Sequence, residues 1–384
     1  MKGSYFWGFE RPDGKVGVRN HLAVISTVHC SATVAQRIAD TVGATAVLHQ
    51  NGCGQVGADL EQTKRMLIGM GNNPNAGAAI IVGLGCEAVF PEAVAHKIKG
   101  KPVEVLKIQA AGGTTRTIQK GINLAQKMLM ALSQEKRKEV DMANLVLGVK
   151  CGASGPSSGI AANPALGMAS DRLIHMKGTV IIGTESLYGC EHILARKAVS
   201  KGIALDIIRC FKRIDEDARR LGHSFKEANP TPGNKRAGIT TMAEKAMGAL
   251  TKAGKAPIVG FLKPGEPPQG NGLWLMETRG ADVGQISKQA AGGCQIVAFT
   301  TDLGNPIGLP LVPVIKITGN AKTYIKNPED IDIDTSPVIL GHMKISEAGE
   351  MIFSKLRDVA NGALTKTEVL GFREFAIPRI GSSL

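Results

Sequence analysis

Leu22-Ala23-Val24-Ile25-Ser26-Thr27-Val28 is a short, apolar, β-branched run, the pattern of a buried strand. After His29-Cys30-Ser31 the spacing turns helical over residues 32–41. The same pair of signals repeats outward from this unit. Thr45-Ala46-Val47-Leu48 predicts a second strand and residues 60–70 a helix. Ala78-Ala79-Ile80-Ile81-Val82 predicts a buried strand, and residues 91–99 a helix with Pro91 at its first turn. Val103-Glu104-Val105-Leu106-Lys107-Ile108 then precedes a helix over 114–133. Strands alternating with helices predict an α/β fold with mostly parallel sheets and flanking helices.

The stretch 133–141 is dense in charge and poor in apolar residues, so it reads as a domain boundary. The rhythm restarts beyond it. Strands are predicted at 145–149, 180–182, 258–262, 273–276, 296–300 and 314–317, with helices over 190–200 and 346–361. Residues 218–238 are polar and rich in Pro and Gly and read as a helix and a long loop; 324–338 reads as irregular. Two Rossmann-like domains are therefore expected, an N-terminal one over 1–135 and a C-terminal one over 140–384.

Composition narrows the function classes. The chain has 384 residues, 43% hydrophobic, with 46 Lys and Arg against 33 Asp and Glu, a formal charge of +13. Such a chain buries a large core and is neither disordered nor fibrous. Seven Cys over this length do not make a disulfide scaffold. The most apolar stretch, 76–84, is far shorter than the roughly 20 residues of a membrane span. A cytoplasmic protein with reduced thiols and no membrane contact is expected. Two Trp, three Tyr and ten Phe leave few stacking platforms, so nucleic acid is not an expected partner despite the charge. The excess of cations fits attraction of an anionic small molecule or simple solubility, and for most individual lysines a solvated basic surface is the expected reading.

The reactive side chains follow the predicted strands. Cys30 follows 22–28, and His49 and Cys53 follow 45–48; Cys86-Glu87 follows 78–82, Cys151 follows 145–149, and Glu185 and Cys190-Glu191 follow 180–182. Open α/β sheets bind ligands beyond the carboxyl ends of their strands, so these residues are expected to converge. Thiolate, imidazole and carboxylate suit Fe(II) or Zn(II) better than Mg(II). Cys210 and Cys294 read as small buried hydrophobes. The loop from Cys151-Gly152-Ala153-Ser154-Gly155 to Ser158-Gly159-Ile160-Ala161-Ala162-Asn163 offers N–H groups and hydroxyls to a carboxylate or phosphate. It matches neither a Walker loop nor a dinucleotide fingerprint.

Several motifs together resemble the altronate/galactarate dehydratase family over nearly the whole chain. They are Gly8-Phe9-Glu10-Arg11-Pro12-Asp13-Gly14, His49-Gln50-Asn51-Gly52-Cys53, Gly83-Leu84-Gly85-Cys86-Glu87, Lys150-Cys151-Gly152, Thr240-Thr241-Met242-Ala243-Glu244-Lys245 and Pro313-Val314-Ile315-Lys316. The resemblance implies a lyase that dehydrates an α-hydroxy acid such as altronate or galactarate to a 2-keto acid, with Fe2+ or another divalent cation. It also implies two alternatives: the large subunit of a sulfolactate sulfo-lyase, or a non-catalytic anion-binding relative. Fused members carry a small SAF domain ahead of the Gly8 motif, so a separate small SAF-domain subunit is expected as partner, and a homo-oligomer. On this resemblance His49, Glu185 and Lys150 are the catalytic candidates. Cys86, Glu87, Cys151 and Glu191 are the metal-ligand candidates, and Arg19, Ser154, Ser158, Asn163 and Lys316 the substrate-binding ones. The chain departs from the family at Ala153 and Gly155, where members commonly carry Gly and Asp, and at Asp302-Leu303, where many carry Gly-Arg. An acid and a guanidinium are missing together, which implies a different polar end on the substrate.

Overall fold

The computed structural model describes residues 4–225 and 229–381. Two parallel sheets carry the molecule, and a small antiparallel one pairs the first strands with the segment between those sheets. Strands β1 (Tyr5–Glu10) and β2 (Val16–Gly17) form a hairpin, after which β3 (His21–Ser26), β4 (Thr45–Val47), β5 (Ala76–Gly83) and β6 (Val103–Lys107) build a parallel sheet in the order β4-β3-β5-β6. Strand β5 is buried along its whole length, as expected for a parallel strand covered on both faces. The helices Ala32–Val42 and Thr114–Leu132 cover one face, and Gly57–Asn72 the other.

The stretch 133–141, expected as a boundary, contains a short strand. Residues Lys138–Asp141 form β7, which pairs antiparallel with β1 from Tyr5↔Asp141 to Gly8↔Lys138. Val140 is its one buried side chain and joins the larger core, a signal too short to read through the surrounding charge.

The C-terminal sheet is fully parallel and has seven strands: β8 (Val146–Cys151), β9 (Thr179–Gly183), β10 (Ile258–Leu262), β11 (Gly272–Met276), β12 (Ile296–Thr301), β13 (Val314–Thr318) and β14 (Ile333–Asp334). Their order is β10-β11-β9-β8-β12-β13-β14. Strand β14 and the helix Ala321–Lys326 lie in the segment expected to be irregular; both are too short to show periodicity. The helix Asn163–His175, absent from the sequence reading, begins where the small-residue loop ends. Of the expected loop over 218–238, residues 226–228 lie outside the described residues, and the helix Lys201–Arg220 runs into it.

The two parallel sheets share apolar packing. Met66, Leu67 and Met70 of the helix Gly57–Asn72 lie in one cluster with Ile286, Ala290 and Phe299 of the C-terminal half. The last described segment straps both halves. The Ile377 carbonyl accepts from Asn51 (2.7 Å) and the Pro378 carbonyl from Gln62 (2.7 Å), while the Ile380 N–H donates to Asp59 (2.9 Å). Pro378 itself packs against Gly284 of the C-terminal half. Among the described residues, no helix is long and apolar enough to cross a membrane.

Candidate active site

Strand order fixes where a ligand can enter. In the larger sheet the chain runs outward from β8 to β9 on one side and returns to β12 on the other, so the switch point lies between β8 and β12. The residues just past these strands, Cys151 to Gly155 and Thr301 to Leu303, are pinned to each other. The Ala153 carbonyl accepts the N–H groups of Asp302 and Leu303, each at 3.1 Å. Ala153 has φ +48°, a left-handed conformation that a Cβ makes costly. Asp302 is buried and accepts the Ser157 hydroxyl. A Cβ at Gly155 would lie 1.9 Å from Asp302 Oδ2, so the absence of a side chain at 155 is what admits the carboxylate at 302.

A cavity of about 230 Å³ opens beside this loop, lined among others by Cys151, Ser154, Ser158, Asn163, Glu244 and Lys245. The backbone here runs through a π-type turn, Ser158–Ala162, a distortion common at functional sites. Cys151 Sγ lies 3.0 Å from Ser154 Oγ and 3.7 Å from Asn163 Nδ2. Asn163 is locked: its Oδ1 accepts from Thr300 (2.6 Å) and its Nδ2 donates to the Gly248 carbonyl (3.0 Å). Ser158 Oγ is buried with no partner, so it is a polar atom awaiting one.

Lys245 enters from the helix Met242–Leu250. Thr241 caps that helix by accepting the Glu244 N–H, and Glu244 in turn accepts from the Thr240 N–H and hydroxyl at 2.8 Å each. Gly248 and Gly159 let the helix touch the turn, since a Cβ on Gly248 would be 3.1 Å from Gly159 Cα. Lys245 Nζ donates to Asn229 (2.9 Å) and Asn234 (3.0 Å), which leaves one of its three N–H groups free among the described residues. Burial lowers its pKa.

Behind the cavity Lys150 is buried between Glu185 (3.1 Å) and Asp282 (2.9 Å). Burial works against its charge, but the two carboxylates outweigh it and the pKa is raised. Lys252, also buried, donates to the Ala249 carbonyl (2.8 Å), and burial brings its pKa down to about 8.

The expected site residues divide into those brought together here and those placed elsewhere. Ser154, Ser158, Asn163 and Cys151 line the cavity, and Lys150 and Glu185 stand behind it. Lys316 lies close by but not in the lining; it is buried with its Nζ 3.7 Å above the Phe299 ring, unpartnered, its pKa lowered by burial to about 7. Arg19 is a clamp instead. All five of its N–H groups are donated: to Glu368 (2.7 and 3.0 Å), Val18 O (2.8 Å), Val359 O (3.0 Å) and Ala363 O (2.7 Å).

His49 sits under the smaller sheet. Its Nε2 lies 2.9 Å from the Ser26 carbonyl and its Nδ1 accepts the Asn51 N–H at 3.1 Å, so both nitrogens are used. Burial lowers its pKa to about 4. Glu87 accepts from Thr27 Oγ1 (2.8 Å), Leu84 N (3.0 Å) and Gly85 N (2.6 Å); burial opposes the charge, these donors win, and the carboxyl is held below its ordinary range. Glu191 accepts the Gly189 N–H (2.8 Å) at the start of its own helix. Cys86 is exposed on the smaller sheet.

Cys86, Glu87, Cys151 and Glu191 thus do not form one donor set. Among the described residues no three His, Cys, Asp or Glu side chains are grouped to hold a single metal ion. The sequence reading missed Asp282, Asp302 and Lys245 as site residues. Lys245 was visible only inside the motif 240–245, while Asp302 stood out as a departure with no partner assigned.

Fold and site define an α/β protein with a cavity at a switch point, lined by two serines, a cysteine, an asparagine and a Lys–Glu pair among small and apolar residues. The C-terminal part, residues 142–383, matches the family model of the D-galactarate/altronate dehydratase C-terminal region. Residues 8–133 match the second domain of D-galactarate dehydratase/altronate hydrolase. The chain belongs to the D-galactarate/altronate dehydratase family. It is 36% identical to the (2R)-sulfolactate sulfo-lyase subunit beta of Chromohalobacter salexigens, over 100% of this chain and 99% of that one. It is 33% identical to the altronate dehydratase of Bacillus subtilis, over 99% of this chain and 78% of that protein. The galactarate dehydratase (L-threo-forming) of Escherichia coli is 31% identical over 94% of this chain and 74% of its own length.

Proposed function

We propose that the chain is a lyase that performs β-elimination on an α-hydroxy acid held in the Cys151 cavity. A proton leaves the carbon beside the carboxylate, the bond from the next carbon to its hydroxyl breaks, and the resulting enol becomes a 2-keto acid plus water. The observation that carries this reading is the cavity itself. A lysine with one free N–H and an unpartnered, buried serine hydroxyl face the same small space, the complement of a carboxylate.

Lys245 and Ser158 hold the carboxylate in this reading, and Ser154 and Asn163 fix the position of Cys151. Glu185, whose charge is felt at Lys245, is the proton acceptor, and Lys150 orients it. Among the described residues the four side chains expected to hold a divalent cation stand apart.

A second reading has its own support. The match that runs the length of both chains is with a sulfo-lyase subunit. In that case a C–S bond breaks and sulfite leaves, and a small partner chain is required.

The test is a screen of altronate, galactarate and sulfolactate with the anaerobically purified chain, with and without a small SAF-domain chain. One of them should yield a 2-keto acid or sulfite, and Lys245→Met should lower kcat/KM about a hundredfold, the scale of one lost electrostatic contact. No product from any of the three, or an unimpaired Lys245→Met, would defeat the proposal.

A further inference from the structure

The smaller sheet has a switch point of its own, between β3 and β5, and the elimination reading leaves it unused. Three of the chain's seven cysteines lie around it. Cys30 follows β3, Cys53 follows β4 and Cys86 follows β5, and these strands are neighbours in the order β4-β3-β5.

Their exposure separates them from the other four. Cys30, Cys53 and Cys86 are exposed, whereas Cys151, Cys190, Cys210 and Cys294 are buried. Free cysteine is ordinarily among the most buried residue types, so three exposed thiols at one sheet end call for a cause.

The three loops are tied to one another beside each thiol. The His29 N–H donates to the Asn51 carbonyl at 2.9 Å, and the Ala88 N–H to the Gly52 carbonyl at 3.1 Å. Thr27 Oγ1 donates to Glu87 at 2.8 Å, and Ser31 Oγ to the Val82 carbonyl at 2.8 Å. A Cβ on Gly52 would lie 2.6 Å from Val28 Cα, so the Cys53 loop presses on the Cys30 loop.

Three thiolates on adjacent loops suit soft metal chemistry. A lone ion is the poorer fit, since no three of these side chains are grouped to hold one. The thiolates of an iron–sulfur cluster sit on different iron atoms and stand farther apart. We infer that Cys30, Cys53 and Cys86 ligate a [4Fe–4S] cluster, one thiolate on each of three irons, with the fourth iron left without a protein thiolate. This site is separate from the Cys151 cavity, and its occupancy does not depend on the elimination reading.

The full chain, reconstituted anaerobically with ferrous iron, sulfide and a thiol reductant, tests the inference. It should carry about four iron and about four acid-labile sulfide per chain, with the visible absorption of a cluster and an electron paramagnetic resonance signal on reduction. Cys30→Ser, Cys53→Ser and Cys86→Ser should each lose most of the iron and sulfide, with circular dichroism unchanged because the thiols are exposed. Cys294→Ser, a buried control outside the site, should keep both. Iron bound without sulfide, no iron at all, or a cluster that survives in the triple Cys→Ser variant would overturn it.

Discussion

Lys316 is the clearest place to measure what a buried charge costs this fold. Its side chain is fully buried in β13 with no hydrogen-bond partner, and its Nζ lies 3.7 Å above the Phe299 ring. The ring favours the ammonium by about 2 kcal/mol in a dry site. Burial opposes it more strongly, and the pKa falls to about 7 from an ordinary 10.5. The unfolded chain therefore holds a proton that the fold releases between these values. Stability must rise with pH across that window, at up to about 1.4 kcal/mol per pH unit, and the full penalty is reached below the folded pKa. Between pH 7 and pH 9 the natural chain should gain about 2 kcal/mol from this group alone. Lys316→Met keeps the length of the side chain and removes the proton. Urea denaturation of both chains at the two pH values isolates the effect, because the other buried lysines cancel in the difference. The variant should be the more stable at pH 7, with an advantage about 2 kcal/mol smaller at pH 9. An advantage equal at both pH values, or a variant less stable at pH 7, would refute the reasoning.

Two further perturbations follow from the same geometry. Lys150→Met leaves Glu185 and Asp282 facing each other without their cation, and thermal melts should show a loss of about 3–5 kcal/mol, the cost of breaking a buried ion pair. Gly155→Ala drives a Cβ into the Asp302 carboxylate and should cost about 1–3 kcal/mol. Asp302→Ala in the same chain should recover most of that, and additive effects in the double variant would break the link between the two positions.

The repeated strand–helix alternation was legible because buried parallel strands such as β5 are continuous apolar runs, which single-sequence patterns detect well. Strands β1 and β7 were not. Half of the β1 side chains and most of those of β7 are exposed, and the two strands are held by pairing across about 130 residues, a long-range fact no local window holds. At the candidate site, Cys151, Ser154, Ser158 and Asn163 were legible since they share one loop. Arg19 and His49 carry residue types that fit a site as well as a scaffold, and sequence alone does not show that their side chains are hydrogen-bonded within the fold. Asp302 against Gly155 could be read from sequence as two departures, but not as one contact, because the two positions meet only across β8 and β12.

The strap at Ile377 to Ile380 has a bearing on how the molecule is made. The carbonyls and N–H it supplies to Asn51, Gln62 and Asp59 belong to the half that leaves the ribosome first. That half must wait, with those polar groups turned to water, until residues 377–380 have been made. Only then does synthesis deliver the piece that closes it.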